Sequence, residues 1–168
     1  ASLAVFQRLA EVEGRIHGAD PGSVHFHELS AVDSIVDVVG FMVGLEMLQV
    51  SQVFCSSVPL GSGTIVTAHG LIPVPAPATL ALLAAANAPT REHPAQTEIV
   101  TPTAAALIAH LAKFRRPEMR VHQIGYGFGT KEFEWPNAVR VWLGDPIEPD
   151  RAEDDRVVVV ECNLDDAT

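Results

Sequence analysis

The chain has 168 residues, 48% hydrophobic, enough for a sizeable core in one domain or in one domain and the start of another. Twelve glycines and twelve prolines argue against an all-helical bundle. A net charge of −10, with much of the acid between Asp145 and Asp166 and no local Lys/Arg patch, disfavours nucleic-acid partners.

The two cysteines, Cys55 and Cys162, lie far apart without a partner motif, which excludes a disulfide scaffold and suits a reducing, cytoplasmic setting. Nothing resembles a signal peptide. The uncharged stretch 71–90 carries Pro73, Pro75, Pro77 and Pro89, which rule against a membrane helix. The first residue falls inside a helical pattern and the last six follow a strong strand, so both ends read as cut.

In chain order, Val5, Phe6, Leu9, Val12 and Ile16 recur at helical spacing and predict a helix over 1–17, stopped by Gly18 and Pro21. Val24 to His27 alternates like a short strand. A long, mostly apolar helix is expected over about 30–49, with Ser30 as N-cap. A strand over 50–56 comes next, then a turn at Gly61-Ser62-Gly63 and a strand over 64–67. His69 and the proline-rich 71–77 read as an extended connection into a helix over about 78–86. Thr101 and Pro102 cap and open another helix. Strands at 121–124 and 138–143 flank a glycine-rich loop, 125–129. An acidic linker over 145–155 separates these from Arg156–Cys162, read as the first strand of a new unit. The expected fold class is α+β, a mixed sheet flanked by helices and truncated at both ends.

The 30–49 helix carries the sharpest chemical signal. At 100° per residue, Asp33, Asp37, Gly40 and Gly44 share a stripe roughly 60° wide. Its other positions are nearly all apolar, so the helix is expected to be buried. Two buried carboxylates one turn apart then demand partners. Upstream, His25 and His27 point to one face of a strand, about 6–7 Å apart, and Glu28 follows. Imidazoles and carboxylates within thirteen residues suit a borderline divalent cation such as Ni²⁺, Zn²⁺ or Mn²⁺. A structural reading stands beside this one, in which the histidines are satisfied in the fold and the aspartates cap a loop or pair with arginine.

His69, between a glycine turn and a rigid proline-rich segment, suits a ligand or a general acid/base, and equally a backbone-bonded loop histidine. Gly61, Ser62 and Gly63 could cradle phosphate, and so could the Gly125 loop, but neither matches a P-loop or a dinucleotide fingerprint, so turns explain them better. Thr101 and Thr103 at a helix start could hold an anion, or simply cap. Cys55 and Cys162 read as core. His17, His93, His110 and His122 belong to no constellation.

Four blocks are shared in order and spacing with one family: Val24 to Asp37, Pro59 to Thr79, Glu98 to Thr103, and Gly125 to Thr130. In them the chain resembles the nickel-insertion proteins of nickel-pincer nucleotide biosynthesis. The resemblance implies a CTP-dependent cyclometallase. Such an enzyme places nickel into pyridinium-3,5-bisthiocarboxylic acid mononucleotide, forming two Ni–S bonds and one Ni–C bond, to make the cofactor of lactate racemase. It further implies Mn²⁺ or Mg²⁺ with the CTP and a homo-oligomer as the full-length protein.

On this reading His25, His27 and Glu28 handle the metal, and Asp33, Asp37 and His69 supply base or acid. Gly61, Ser62, Gly63, Thr101 and Thr103 receive the nucleotide. Residues 1–144 would be the central part of the nickel-insertion domain, 145–155 a linker, and 156–168 the start of a mostly absent CTP-binding domain. Ala104 stands where the family usually has glycine, and Cys162 where threonine is common. The fragment alone is expected to be inactive. The alternative is a non-catalytic nickel-binding or structural domain.

Overall fold

A computed structural model describes residues 2–20, 22, 31–67, 70–147 and 156–162. Its elements are α1 (Ser2–His17), α2 (Ala31–Met47), β1 (Val50–Cys55), β2 (Val58–Leu60), β3 (Thr64–Thr67), β4 (Gly70–Pro73), α3 (Pro77–Ala85), β5 (Thr90–Glu92), α4 (Pro102–Leu111), β6 (Ala112–Lys113), β7 (Met119–Phe128), β8 (Ala138–Pro146) and β9 (Arg156–Cys162). The main sheet has the order β6-β1-β9-β8-β7, parallel from β6 through β9 and antiparallel from β9 to β7. An α+β fold with a mixed sheet is therefore the observed class. The parallel pair β2-β5 and the hairpin β3-β4 stand apart from that sheet.

The helical periodicity is realised where it was strongest. Val5, Leu9 and Val12 of α1 are buried against Leu82 and Leu83 of α3 and Ala105 and Ala106 of α4. Small side chains on α4 permit that close approach. Gly18, at φ 63°, takes the left-handed conformation that ends α1 and that other residues adopt only at a cost. Thr101 caps α4 as expected, its hydroxyl accepting from the Ala104 N–H at 3.3 Å, with Pro102 in the first turn.

Arg156–Cys162 is the central strand, bonded to β1 on one side and β8 on the other. Its run Val157 to Val160 is buried on both faces, the pattern of a central strand. Two expectations are corrected. Residues 125–128 are strand rather than loop, because Gly125, Tyr126, Gly127 and Phe128 pair with Val141, Arg140, Val139 and Ala138. Residues 70–73 form β4 and close a hairpin on β3 instead of an open connection. The strand read at 24–27 lies outside the described residues.

Alternation along the strands gives the sheet two unlike faces. Val53, Val158 and Val160 pack toward Leu45 of α2 and Leu111 of α4. Phe54, Val157 and Val159 point the other way and pack with Met119 and Trp142.

Candidate functional site

α2 turns one narrow side inward. Ser34 and Val38 are buried, while Asp33 and Asp37 are exposed, as are most of the helix's apolar side chains. Val32 is 68% exposed, Val36 64% and Met47 78%. The expected burial of this helix is thus corrected: one side of it has neighbours among the described residues, and its carboxylates lie on the open side. The stripe itself is present. Among the described residues a Cβ added at Gly40 or Gly44 would meet nothing within 4 Å, so no described group covers the helix at those two positions. Asp33 also sits in the first turn of α2, where the helix dipole favours negative charge.

His25, His27, Glu28 and His69 lie outside the described residues. Among the described residues no three His, Cys, Asp or Glu side chains gather in a way that could hold a metal ion.

The other motif blocks converge on one another. Gly61 is buried, and a Cβ there would run into the carbonyl of Thr97 and lie 2.9 Å from that of Ala95. The Ser62 N–H donates to the Ala95 carbonyl at 2.9 Å, and the Gly63 carbonyl accepts from Val74 at 2.9 Å. Gly63 adopts φ 90°, a conformation suited to glycine. Lys131, just past the Gly125–Thr130 block, donates to Thr97 Oγ1 at 2.8 Å and to the Glu98 carbonyl at 2.9 Å. Three blocks distant in sequence therefore meet around Thr97. Thr101 is exposed but its hydroxyl is engaged in the cap, and Thr103 is buried.

The remaining histidines take structural positions. His93 is buried, its Nδ1 accepting from the Ala95 N–H at 3.2 Å and its ring edge-on to Trp135 at 5.3 Å. His122 lies 2.6 Å from Asp145 on the surface, and His17 lies 3.3 Å from Glu13. Cys55 is buried, as expected.

Local sequence missed one cluster. Lys113 and Arg115 lie over the Phe54 ring at 6.0 and 4.9 Å, and Arg116 and Arg140 over Trp142 at 4.4 and 4.9 Å. Three of these cations were already adjacent in the run Lys113 to Arg116, a signal available but unread. The fourth is brought in by the sheet. Glu161 accepts from Arg140 Nε at 3.0 Å and from Arg140 Nη2, and lies 3.9 Å from Arg116. The hydrogen bond to Glu161 raises the Arg140 pKa above the ordinary guanidinium value, against the lowering effect of burial; the Glu161 charge and Tyr126 add to the rise.

The nickel insertion protein family model matches residues 1–168. A relative from Roseiflexus castenholzii, named for nickel insertion, is 51% identical over 166 residues, covering 98% of this chain and 42% of its own length. A second, from Thermomicrobium roseum, is 51% identical over 165 residues and covers 98% and 41%. A third, from Dictyoglomus thermophilum, is 46% identical over 164 residues and covers 96% and 42%. No solved structure matches the chain. An α+β chain with these motif blocks, matched along its whole length, belongs to the nickel insertion protein family. It spans about two fifths of the length of these curated relatives. No described helix is long and apolar enough to cross a membrane.

Proposed function

We propose that this chain is the metal-handling part of a cyclometallase that inserts nickel into pyridinium-3,5-bisthiocarboxylic acid mononucleotide. The observation that carries the reading is the open, glycine-flanked carboxylate pair Asp33 and Asp37. It follows the His25-Phe-His27-Glu28 run within a few residues, in a chain of the nickel insertion family. Nickel is a substrate here. His25, His27 and Glu28 deliver it through neutral imidazole nitrogens and a carboxylate. Forming a Ni–C bond at the pyridinium ring releases a ring proton, and Asp33, Asp37 or His69 accepts it.

Exposure leaves both carboxylates accessible to an approaching substrate. Gly61, Ser62, Gly63, Thr101 and Thr103 are assigned to the nucleotide. Engagement of the Ser62 N–H and the Thr101 hydroxyl within the fold limits them to shaping the site. CTP with Mn²⁺ or Mg²⁺ powers the reaction in the whole protein. The described residues supply no cluster for that ion, so no step through it is assigned to them.

Isothermal titration with Ni²⁺ tests the reading. The His25→Ala/His27→Ala variant should lose most of the affinity of the parent chain. Equal affinity in the two proteins would remove the ligand assignment. A non-catalytic nickel-binding module is the second reading. It predicts the same nickel titration, with no binding of a pyridinium nucleotide.

A further inference from the structure

β7 is the last strand of the main sheet, and no described strand pairs with its outer edge. It is ten residues long, and every residue after Met119 is exposed. Such an edge presents a row of unpaired N–H and C=O groups to any other strand, and folded proteins commonly blunt it with charge, a bulge or proline. The first half of β7 is blunted in two of these ways. Arg120 is charged, and the register against β8 shifts between Val121 and Gln123, leaving His122 as an extra residue. The second half, Ile124 to Phe128, carries no charge, bulge or proline and pairs with Trp142 to Ala138 without a break.

Both faces of that half suit a strand as neighbour. Ile124, Tyr126 and Phe128 alternate onto one face and are 55%, 52% and 74% exposed. The Tyr126 and Phe128 rings lie side by side, centroids 6.4 Å apart and 19° from parallel. Three large apolar side chains left in water along a free edge bring folding little benefit, and cross-strand partners would bury them. On the other face Gly125 and Gly127 leave bare backbone, and a Cβ at either would meet nothing within 4 Å. Glycine inside a strand weakens it and often marks the close approach of another backbone.

The segment is also complementary to itself. Antiparallel pairing about a two-fold axis through Tyr126 sets Tyr126 against its own copy and Ile124 against Phe128 of the second copy. Gly125 then faces Gly127. Apolar side chains meet apolar ones on one face, and glycine meets glycine on the other. Past the two ends of the segment, exposed Arg120 of one copy approaches exposed Glu132 of the other, so opposite charges meet there. In a chain of charge −10, whose copies repel elsewhere, an uncharged edge with such ends is a favourable place for contact.

We infer that a second copy of this chain docks on β7, the two strands pairing antiparallel over Ile124 to Phe128 and joining two five-stranded sheets edge to edge. Opposite residues of an antiparallel pair share a face, so the two-fold axis stands perpendicular to the sheet. The α2 and α4 helices of both copies then lie on one side, and the apolar stripes of both run together on the other. Pairing over so few residues makes a small interface, at the weak end of specific association, so the dimer forms in a concentration-dependent way. The inference does not rest on the function proposed above.

Sedimentation equilibrium of the 168-residue chain at rising concentration should show a monomer–dimer equilibrium. Tyr126→Lys sets like charges directly opposite each other and should weaken dimerisation about tenfold or more. Phe128→Lys, at the more exposed position, should act in the same direction and guards against misfolding of the first variant, with circular dichroism reporting the fold of both. Crosslinking reads the register. Directly opposite Cα atoms lie about 4.5–5.5 Å apart, within disulfide reach, so Tyr126→Cys should crosslink to its own copy on mild oxidation. Ile124→Cys should crosslink to Phe128→Cys in a mixture of the two but not to itself, with the parent and its Cys55 and Cys162 as background. The inference is overturned if the parent stays monomeric throughout, or if the folded lysine variants associate as the parent does. Self-crosslinking of Ile124→Cys as ready as that of Tyr126→Cys overturns it too.

Discussion

Arg140 directs both Nε and Nη2 at one oxygen of Glu161, tying the second-last strand of the sheet to its centre. Both side chains are mostly buried, so removing the charge of either leaves the other poorly solvated. Glu161→Gln should cost about 1–3 kcal/mol, a fall in Tm of roughly 3–9 °C for a chain of this size. Because Glu161 raises the Arg140 pKa, the arginine contribution is complete below the unfolded guanidinium value. It is lost only as pH climbs through the higher folded one. Thermal melts of parent and variant should therefore keep a constant separation from about pH 7 to about pH 10.

Gly61 and Gly127 make opposite predictions although each belongs to a glycine-containing motif. Any side chain on Gly61 would press on the carbonyls of Thr97 and Ala95, which are backbone and cannot swing away. Gly61→Ala should destabilise by about 1–3 kcal/mol. Gly127 has nothing within 4 Å of a Cβ and sits within a strand, where glycine is a weak choice. Gly127→Ala should be neutral or mildly stabilising in urea denaturation.

How far the sequence foretold this structure depended on whether the signal was local. α1 and α4 were legible because apolar spacing and the Thr101-Pro102 start act within one element. β9 was legible as a strand but not as the sheet's centre, since its parallel pairing with β1 joins residues about a hundred positions apart. The glycines of β7 hid a strand that β8 imposes through backbone bonds alone. For α2, composition stated that the helix wants apolar neighbours, but not that one side alone would find them among the described residues. Lys113, Arg115, Arg116 and Arg140 became a cluster only when the sheet put Phe54 and Trp142 beneath them.

Thr101 separates capping from anion binding. Its hydroxyl accepts from the Ala104 N–H, so Thr101→Ala should cost about 1 kcal/mol and Thr101→Ser should restore most of it. If the hydroxyl only caps, nucleotide affinity measured by calorimetry will be the same in Thr101→Ser and parent. A loss in Thr101→Ser that matches the loss in Thr101→Ala would give the residue a direct contact.

Asp33 and Asp37 decide between a working and a structural carboxylate pair. Were they locked in buried ion pairs, their conversion to asparagine would cost about 3–5 kcal/mol. Exposed on α2, they should tolerate it within about 1 kcal/mol, most of that from the dipole interaction of Asp33 in the first turn. A base that accepts the ring proton acts on rate rather than on metal affinity. In a full-length relative, Asp37→Asn should therefore slow nickel insertion by about 10²- to 10⁴-fold, while Ni²⁺ titration and Tm stay near the parent values. Insertion at the parental rate in both single variants would remove the base role from this helix, and the ring proton would have to leave through another group.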